Sequence, residues 1–249
     1  MTSKPIIVIP MAGEGSRFAQ AGYAKPKPFI DVLGRPMIHH VIDNVAYAGA
    51  STLLIARAAH CAAEPGVVAE LKAAGNLDIH LLDGLTEGTA CTLLAAYDKM
   101  DPDAPILVAN SDQFVDGGVT AMLDDALARD LDGSIMVFKS EPHPKWSYAK
   151  LRDDGLVERV AEKDPISEWA TVGIYYFKSA RAFRRAAEAM IAANDRVNNE
   201  FYTCPVYNYA IKAGARIGVW EIPQTAMHGL GTPEDLDAFI AERAAGTSA

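Results

Sequence analysis

The stretch IIVIPMAGEGSRF, residues 6–18, followed by KPKPFIDVLGRPMI, residues 25–38, reads as a buried strand, a glycine loop ending in arginine, and lysines set between prolines. Ile6, Ile7, Val8 and Ile9 form the continuous apolar run of a strand covered on both faces, and Pro10, with no N–H to give, is expected to end its ladder. Gly13 and Gly15 permit backbone conformations closed to other residues, so successive amides can point at a phosphate with no Cβ in the way. Arg17 adds a planar, permanently charged fork. An ordinary strand-to-helix turn with a solvated arginine fits the loop equally well. Lys27 tips the balance, because Pro26 and Pro28 hold its backbone extended and give it a defined placement.

The spacing excludes two common phosphate loops. A dinucleotide fingerprint needs a third glycine where Phe18 stands, and a Walker loop needs Gly-Lys-Ser/Thr, which does not occur. The whole chain of 249 residues carries a formal charge of −9, yet residues 1–40 hold five basic side chains (Lys4, Arg17, Lys25, Lys27, Arg35) against two acidic ones (Glu14, Asp31). Positive charge gathers where phosphates would bind, and the acidic remainder argues against nucleic acid as a partner. Half the residues are hydrophobic, enough for one substantial core. No linker or repeat stands out, and only residues 246–249 read as a loose tail. The short apolar run after Lys4 predicts no signal peptide, and no stretch reaches membrane-spanning length. Cys61, Cys91 and Cys204 are isolated, which fits a reducing cytoplasm better than disulfides or zinc.

Strands are expected at 52–56, 79–82, 105–109 and 134–138, alternating with helices near 37–48, 64–74, 89–99 and 118–129. This alternation implies a doubly wound α/β sheet, in which ligands lie beyond the carboxyl ends of the strands, where Ala12, Gly88 and Asp112 would converge. Asp112, after the apolar strand 106–109, is placed to hold Mg²⁺, although on local sequence alone it suits a turn or helix cap as readily.

These residues carry a family resemblance. Gly13-Glu14-Gly15-Ser16-Arg17 and Pro26-Lys27-Pro28 resemble the Gly-x-Gly-Thr-Arg and Pro-Lys-Pro of nucleotidyltransferases of the sugar-nucleotide pyrophosphorylase superfamily, with serine for threonine. Gly88-Thr89-Ala90, Asn110-Ser111-Asp112, Glu162-Lys163, Gly173-Ile174-Tyr175 and Gly231-Thr232-Pro233-Glu234-Asp235 follow in matching order, so the resemblance covers nearly the whole chain. It implies a three-layer α/β/α Rossmann-like (GT-A-like) fold with a mixed, mostly parallel central sheet. A single domain, residues 1–249, would divide into a nucleotide-binding half (about 1–130) and an acceptor-binding half (about 131–249).

The resemblance further implies transfer of NMP from a nucleoside triphosphate to a phosphorylated small-molecule acceptor, with Mg²⁺ and release of pyrophosphate. Arg17, Lys27 and Asp112 would be catalytic, Asp112 also the metal ligand. Met11, Ala12, Gly13, Glu14, Gly15, Ser16, Asp83, Gly88 and Thr89 would bind the nucleotide, and Glu162, Lys163, Gly173 and Glu200 the acceptor. Asp83 stands where thymidylyl and uridylyl members place a base-reading glutamine. An ionised carboxylate only accepts hydrogen bonds, which disfavours UTP and dTTP, though Asp83-Gly84 is equally a turn. Gly229 replaces the family's second metal-binding aspartate. Glu200, Asp164, His228 or bound water are the replacements considered.

The acceptor motifs also depart from sugar-specific members, with Thr171-Val172-Gly173 in place of Asn-x-Gly and 199–205 altered. Trp146, Tyr148, Trp169, Phe201 and Tyr202 could line a pocket for a cationic head group, or simply pack in the core. The resemblance makes a sugar 1-phosphate the expected acceptor, and these departures keep a non-sugar acceptor in play. A cytidylyltransferase for a non-sugar phosphate or phosphonate, and a nucleotide-binding regulator without turnover, stand as alternatives. The sequence leaves a homo-oligomer open, since interface and core apolar residues look alike.

Overall fold

The structure, a computed structural model, describes residues 4–246. The first half runs β1 (Ile6–Met11), α1 (Ser16–Gln20), β2 (Asp31–Val32), β3 (Arg35–Pro36), α2 (Met37–Asn44), β4 (Ser51–Arg57), α3 (Ala58–Ala63), α4 (Pro65–Ala73), β5 (Leu77–Leu82), α5 (Thr89–Ala95), β6 (Ile106–Ala109), β7 (Gln113–Val115) and α6 (Thr120–Ala128). The second half continues β8 (Gly133–Lys139), β9 (Ser147–Leu151), β10 (Val157–Glu162), β11 (Trp169–Phe177), α7 (Ala180–Ala192), α8 (Val206–Lys212), β12 (Ile217–Glu221), β13 (Met227–Gly229) and α9 (Pro233–Gly246). Of the expected loose tail, Gly246 closes α9, and residues 247–249 lie outside the described residues.

Nine strands form one mixed sheet in the order β10-β9-β11-β6-β1-β4-β5, with β8 on β11 and β12 on β8. β6, β1, β4 and β5 run parallel to their neighbours, and β11 joins β6 antiparallel. Alternation along each central strand sends side chains to opposite faces. Ile7, Ile9 and Met11 pack with α2 and α6 on one face, while Val8 packs with α5, α7 and α8 on the other. Leu54 and Ala56 against Leu53 and Ile55 repeat the pattern in β4. Both faces are sealed, which is why these strands read as unbroken apolar runs. The expected α/β/α layering with a mostly parallel centre is therefore the observed one.

Pro10 ends only one of its two ladders. Pairing of β1 with β6 stops at Val8, whereas pairing with β4 continues through Pro10 to Met11. The two central strands thus part at their carboxyl ends, and Pro10 lies in the wall of the cleft that opens there. The predicted helices are shorter in fact: α2 ends at Asn44, and the stretch 89–99 breaks into α5 and a 3₁₀ turn at Tyr97–Lys99.

A backbone zipper joins the two halves of the chain. Phe201 N–H donates to the Glu87 carbonyl at 2.8 Å, Ala90 N–H donates to the Phe201 carbonyl at 2.9 Å, and Thr203 N–H donates to Thr89 Oγ1 at 3.0 Å. Gly88 makes this approach possible, because its φ is +122° and a Cβ there would lie 2.5 Å from the Phe201 carbonyl oxygen. Gly88→Ala combines backbone strain with overpacking and is expected to lower the unfolding free energy by roughly 2–5 kcal/mol in urea titration. A loss below about 1 kcal/mol would mean the zipper opens freely.

Candidate active site

The cleft of about 500 Å³ at the strand ends gathers Pro10, Gly13 and Arg17 from the first loop, Thr89 from α5, and Asn110 to Gln113 from the segment after β6. Its far wall comes from β9–β11 and residues 200–204. Gly15 adopts φ +65°, and a Cβ on it would lie 3.0 Å from Lys27 Cβ, so the loop seats directly on the Pro26-Lys27-Pro28 segment. A Cβ on Gly13 meets nothing within 4 Å, leaving its backbone open. Arg17 is exposed on the cleft wall and forms no ion pair among the described residues.

Pro26 is extended (φ −54°, ψ 139°) and Phe29 is fully buried, which pins the short 3₁₀ turn carrying Lys27. Lys27 Nζ donates to Asp112 Oδ2. Asp112 is held in turn by its backbone: Leu230 N–H donates to its carbonyl at 2.7 Å, and β13 pairs with β7, placing Gly229 opposite Gln113. The late Gly-Leu-Gly turn is thereby laid beside the strand-end aspartate. A Cβ on Gly231 would lie 3.0 Å from Asp112 Oδ2.

The replacements considered for the missing aspartate behave differently. His228 is buried between Asp116 (3.0 Å) and Glu242 (3.2 Å), both its ring nitrogens occupied. Asp164 is exposed and does not line the cleft, whereas Glu200 does. Asp235, which sequence reasoning passed over, also lines the cleft and pairs with Lys145 at 3.2 Å. The sequence signal was a helix cap: Thr232 Oγ1 accepts the Asp235 N–H at 3.1 Å, three residues along. Nothing in that signal tells where the carboxylate points.

At the acceptor end, β10 finishes with Glu162, and Lys163 follows in the left-handed region at φ 59°. Lys163 Nζ donates to the Tyr202 hydroxyl at 2.8 Å. Ser147 Oγ donates to Glu162, yet burial pushes this carboxyl above its ordinary value, with the Glu200 charge adding to the rise. Gly173 lies at a bulge of β11 with φ +94°, where a Cβ would strike Gln113 and Asn110 side chains at 2.3 and 2.4 Å. Of the five aromatic residues singled out, Tyr148 and Phe201 are fully buried and Trp169 packs against the core, while Trp146 and Tyr202 line the cleft. Tyr175 joins them there.

Thus Gly13, Arg17, Thr89, Asp112, Glu162, Lys163, Gly173 and Glu200 share one cleft, and Lys27 reaches it through Asp112. Met11 and Ala12 are buried behind the loop, Glu14 and Ser16 are exposed beside it, and Gly15 and Gly88 serve close backbone approaches. Asp83 is exposed beyond β5 and outside the cleft wall.

Fold and cleft together define a Rossmann-like α/β protein with a cleft at the carboxyl ends of its parallel strands, where proteins of this architecture hold ligands. Residues 5–214 match the nucleotidyl transferase family, and the chain belongs to it. It is similar to the nucleoside-diphosphate-sugar pyrophosphorylase from Vibrio cholerae RC9, 29% identical with a TM-score of 0.82, covering 94% of this chain and 99% of that one. It is also 29% identical over 220 residues to the bifunctional protein GlmU of Paraburkholderia phymatum, across 85% of this chain and 46% of that protein. The mannose-1-phosphate guanylyltransferase catalytic subunit beta of Drosophila pseudoobscura pseudoobscura is 24% identical over 175 residues, 68% of this chain and 47% of that protein. The chain spans about half the length of the curated relatives it matches.

The raised carboxyl of Glu162 has a stability consequence. Below the ordinary glutamate value of 4.5 both folded and unfolded chains hold the proton and burial carries no charge penalty. As pH climbs past it the unfolded chain ionises first, so stability declines until the folded value is passed and is constant above it. Glu162→Gln, which keeps an acceptor for Ser147, is therefore expected to raise Tm near neutral pH by roughly 2–4 °C, about 1 kcal/mol in a chain of this size. The gain should vanish in thermal melts at pH 4. A gain independent of pH would show that the ionised carboxylate carries no penalty.

Proposed function

We propose that this protein joins a nucleoside monophosphate to a sugar 1-phosphate, taking it from a nucleoside triphosphate and releasing pyrophosphate. The observation that carries this reading is the placement of basic side chains at two ends of one cleft. Arg17 and Lys27 stand by the glycine loop, and Lys163 stands where β10 ends. Triphosphate and acceptor phosphate each need a cation, and neither end alone would suit both. The names of the relatives supply the sugar.

In this reading an acceptor phosphate oxygen forms a bond to the α-phosphorus, and the bond from that phosphorus to the oxygen bridging the β-phosphorus breaks. Pyrophosphate leaves with the electron pair. No protein nucleophile is required, so the chain's work is positioning and neutralising charge. Lys27 offsets charge building on the α-phosphate. The loop amides around Gly13, with Arg17, hold the outer phosphates, and Lys163 orients the acceptor's phosphate.

The donors fit Mg²⁺. Asp112 offers hard oxygen at the strand end, already facing the Lys27 ammonium, and a small hard cation takes few carboxylates together with phosphate oxygens. Asp112 would hold the ion, which when bound shares positive charge over the phosphate oxygens. A second acceptor class is favoured by one feature. Glu162 and Glu200 face the cleft with Trp146 and Tyr202, and a positively charged, phosphocholine-like group would take the places over these rings that Lys145 Nζ and Lys163 Nζ hold at 4.8 and 4.6 Å.

Pyrophosphate release with Mg²⁺ and each of ATP, GTP, CTP, UTP and dTTP, against sugar 1-phosphates, phosphocholine, phosphoamino acids and phosphonates, separates these readings. With the productive pair, Lys27→Ala and Asp112→Ala are each expected to lower kcat by roughly 10²–10³-fold, the size seen when one group aimed at developing charge is removed. Lys163→Ala is expected to raise KM for the acceptor more than for the nucleotide. Undiminished turnover in Lys27→Ala would sink this assignment.

A further inference from the structure

Gly229 stands two residues before Gly231, and facing it across the cleft wall is the side chain of Asp235. A Cβ built on Gly229 would lie 3.4 Å from both Cγ and Oδ2 of Asp235, just as a Cβ on Gly231 would lie 3.0 Å from Asp112 Oδ2. The Gly229-Leu230-Gly231 segment therefore borders two carboxylates, Asp112 close against Gly231 and Asp235 at ordinary contact distance from the place a side chain on residue 229 would start. Both already face a cation: Lys27 Nζ on Asp112, and Lys145 Nζ on Asp235 at 3.2 Å.

The backbone that carries Asp235 is held in place. Its neighbour Leu236 is buried with Leu230, Phe18, Ile30 and Phe239 in a small core of its own, so the first turn of α9 and the Gly-Leu-Gly turn are packed together. An acidic residue at this position of a helix ordinarily serves the helix start, reaching back to the cap backbone. Here Thr232 Oγ1 already accepts the Asp235 N–H, and the carboxylate bonds instead with Lys145 in the cleft. Of the other candidates, His228 is enclosed by Asp116 and Glu242, Asp164 lies off the cleft, and Glu200 lines the far wall with Tyr202 and Thr203 rather than the Gly229 side.

We propose that Asp235 is the second carboxylate of the Mg²⁺ site, supplied by helix α9 in place of the side chain that Gly229 lacks. The inference rests on the reading that the cleft takes Mg²⁺ at Asp112. Lys145 then has the part that Lys27 has at Asp112, neutralising the carboxylate until metal and triphosphate arrive.

Mn²⁺ serves as the probe, its free signal followed by electron paramagnetic resonance with the protein alone and with the α,β-methylene analogue of each triphosphate. Asp235→Asn is expected to weaken Mn²⁺ binding by at least about tenfold, the low end of what site-supporting groups contribute to metal affinity, and Asp112→Asn by no less. Moving the carboxylate, in Gly229→Asp/Asp235→Asn, should restore binding towards that of the parent. Lys145→Met, which removes the competing ammonium, should bind Mn²⁺ at least as tightly as the parent. If Asp235→Asn binds like the parent while Asp112→Asn does not, Asp235 is no ligand and the Mg²⁺ reading stands. If Asp235→Asn loses binding and the relocated carboxylate does not recover it, the inference is likewise overturned. Absence of Mn²⁺ binding in the parent with every analogue removes both.

Discussion

The central sheet is sealed with hydrocarbon on both faces, and this constraint decides where polar chemistry can occur. Val8, Ile9, Leu54, Ile55, Leu107 and Val108 are all fully buried between helical layers, so no ligand can reach the sheet from above or below. Charged and glycine-rich segments are left to the strand ends, where the backbone leaves the ladder and burial of polar groups is no longer imposed. The cleft opens where β1 and β6 lose contact beyond Val8, at the proline. From there the sequence of events is geometric: the first loop supplies Gly13 and Arg17, the segment after β6 supplies Asp112, and β11 crosses behind as an antiparallel partner of β6.

Two lysines and two aspartates of this cleft stand in pairs. Lys27 with Asp112 and Lys145 with Asp235 are partly exposed pairs, and pairs of that kind contribute little to folding. In the proposed reading each carboxylate has a temporary cation and each lysine a temporary anion. An incoming phosphate and metal would replace one set of partners by another without leaving an uncompensated charge at either stage. Glu162 differs. Burial holds its carboxyl above the ordinary range, so the fold tolerates a group that works against its own stability, as functional sites commonly do.

Glycine placement shows how the two halves of the chain are coupled. Gly15 lets the first glycine loop rest on Lys27, Gly88 lets α5 meet residue 201, and Gly173 makes room for Asn110 and Gln113 at the bulge of β11. The last two approaches tie a segment of the first half to a residue far from it in sequence. The cleft is therefore a joint product of both halves, and its walls cannot be assigned to one of them.

Much was legible from residues alone. Apolar runs located β1, β4, β6 and β8 to within about two residues, because burial on both faces leaves an unbroken hydrophobic signature, and the half-exposed edge strand β5 was found to the same precision from its shorter apolar run. The glycine loop, Pro-Lys-Pro and strand-end aspartate pointed to the family, since each is a local pattern with a local cause. Helix ends were less legible: α2 stops at Asn44, whose side chain bonds both backbone groups of Val115, 71 residues away. Pro10 misled on one side only, because the sequence does not say which edge of β1 is paired beyond Val8. What only tertiary structure decided was the company each polar residue keeps. The antiparallel pairing of β13 with β7 brings Gly229 and Gly231 beside Asp112, and packing of Leu236 turns Asp235 into the same cleft. His228, just as available in sequence, is withdrawn by Asp116 and Glu242. A local pattern carries information about its own backbone, but the meeting of groups separated by more than a hundred residues is set by sheet register and core packing, which no short stretch encodes.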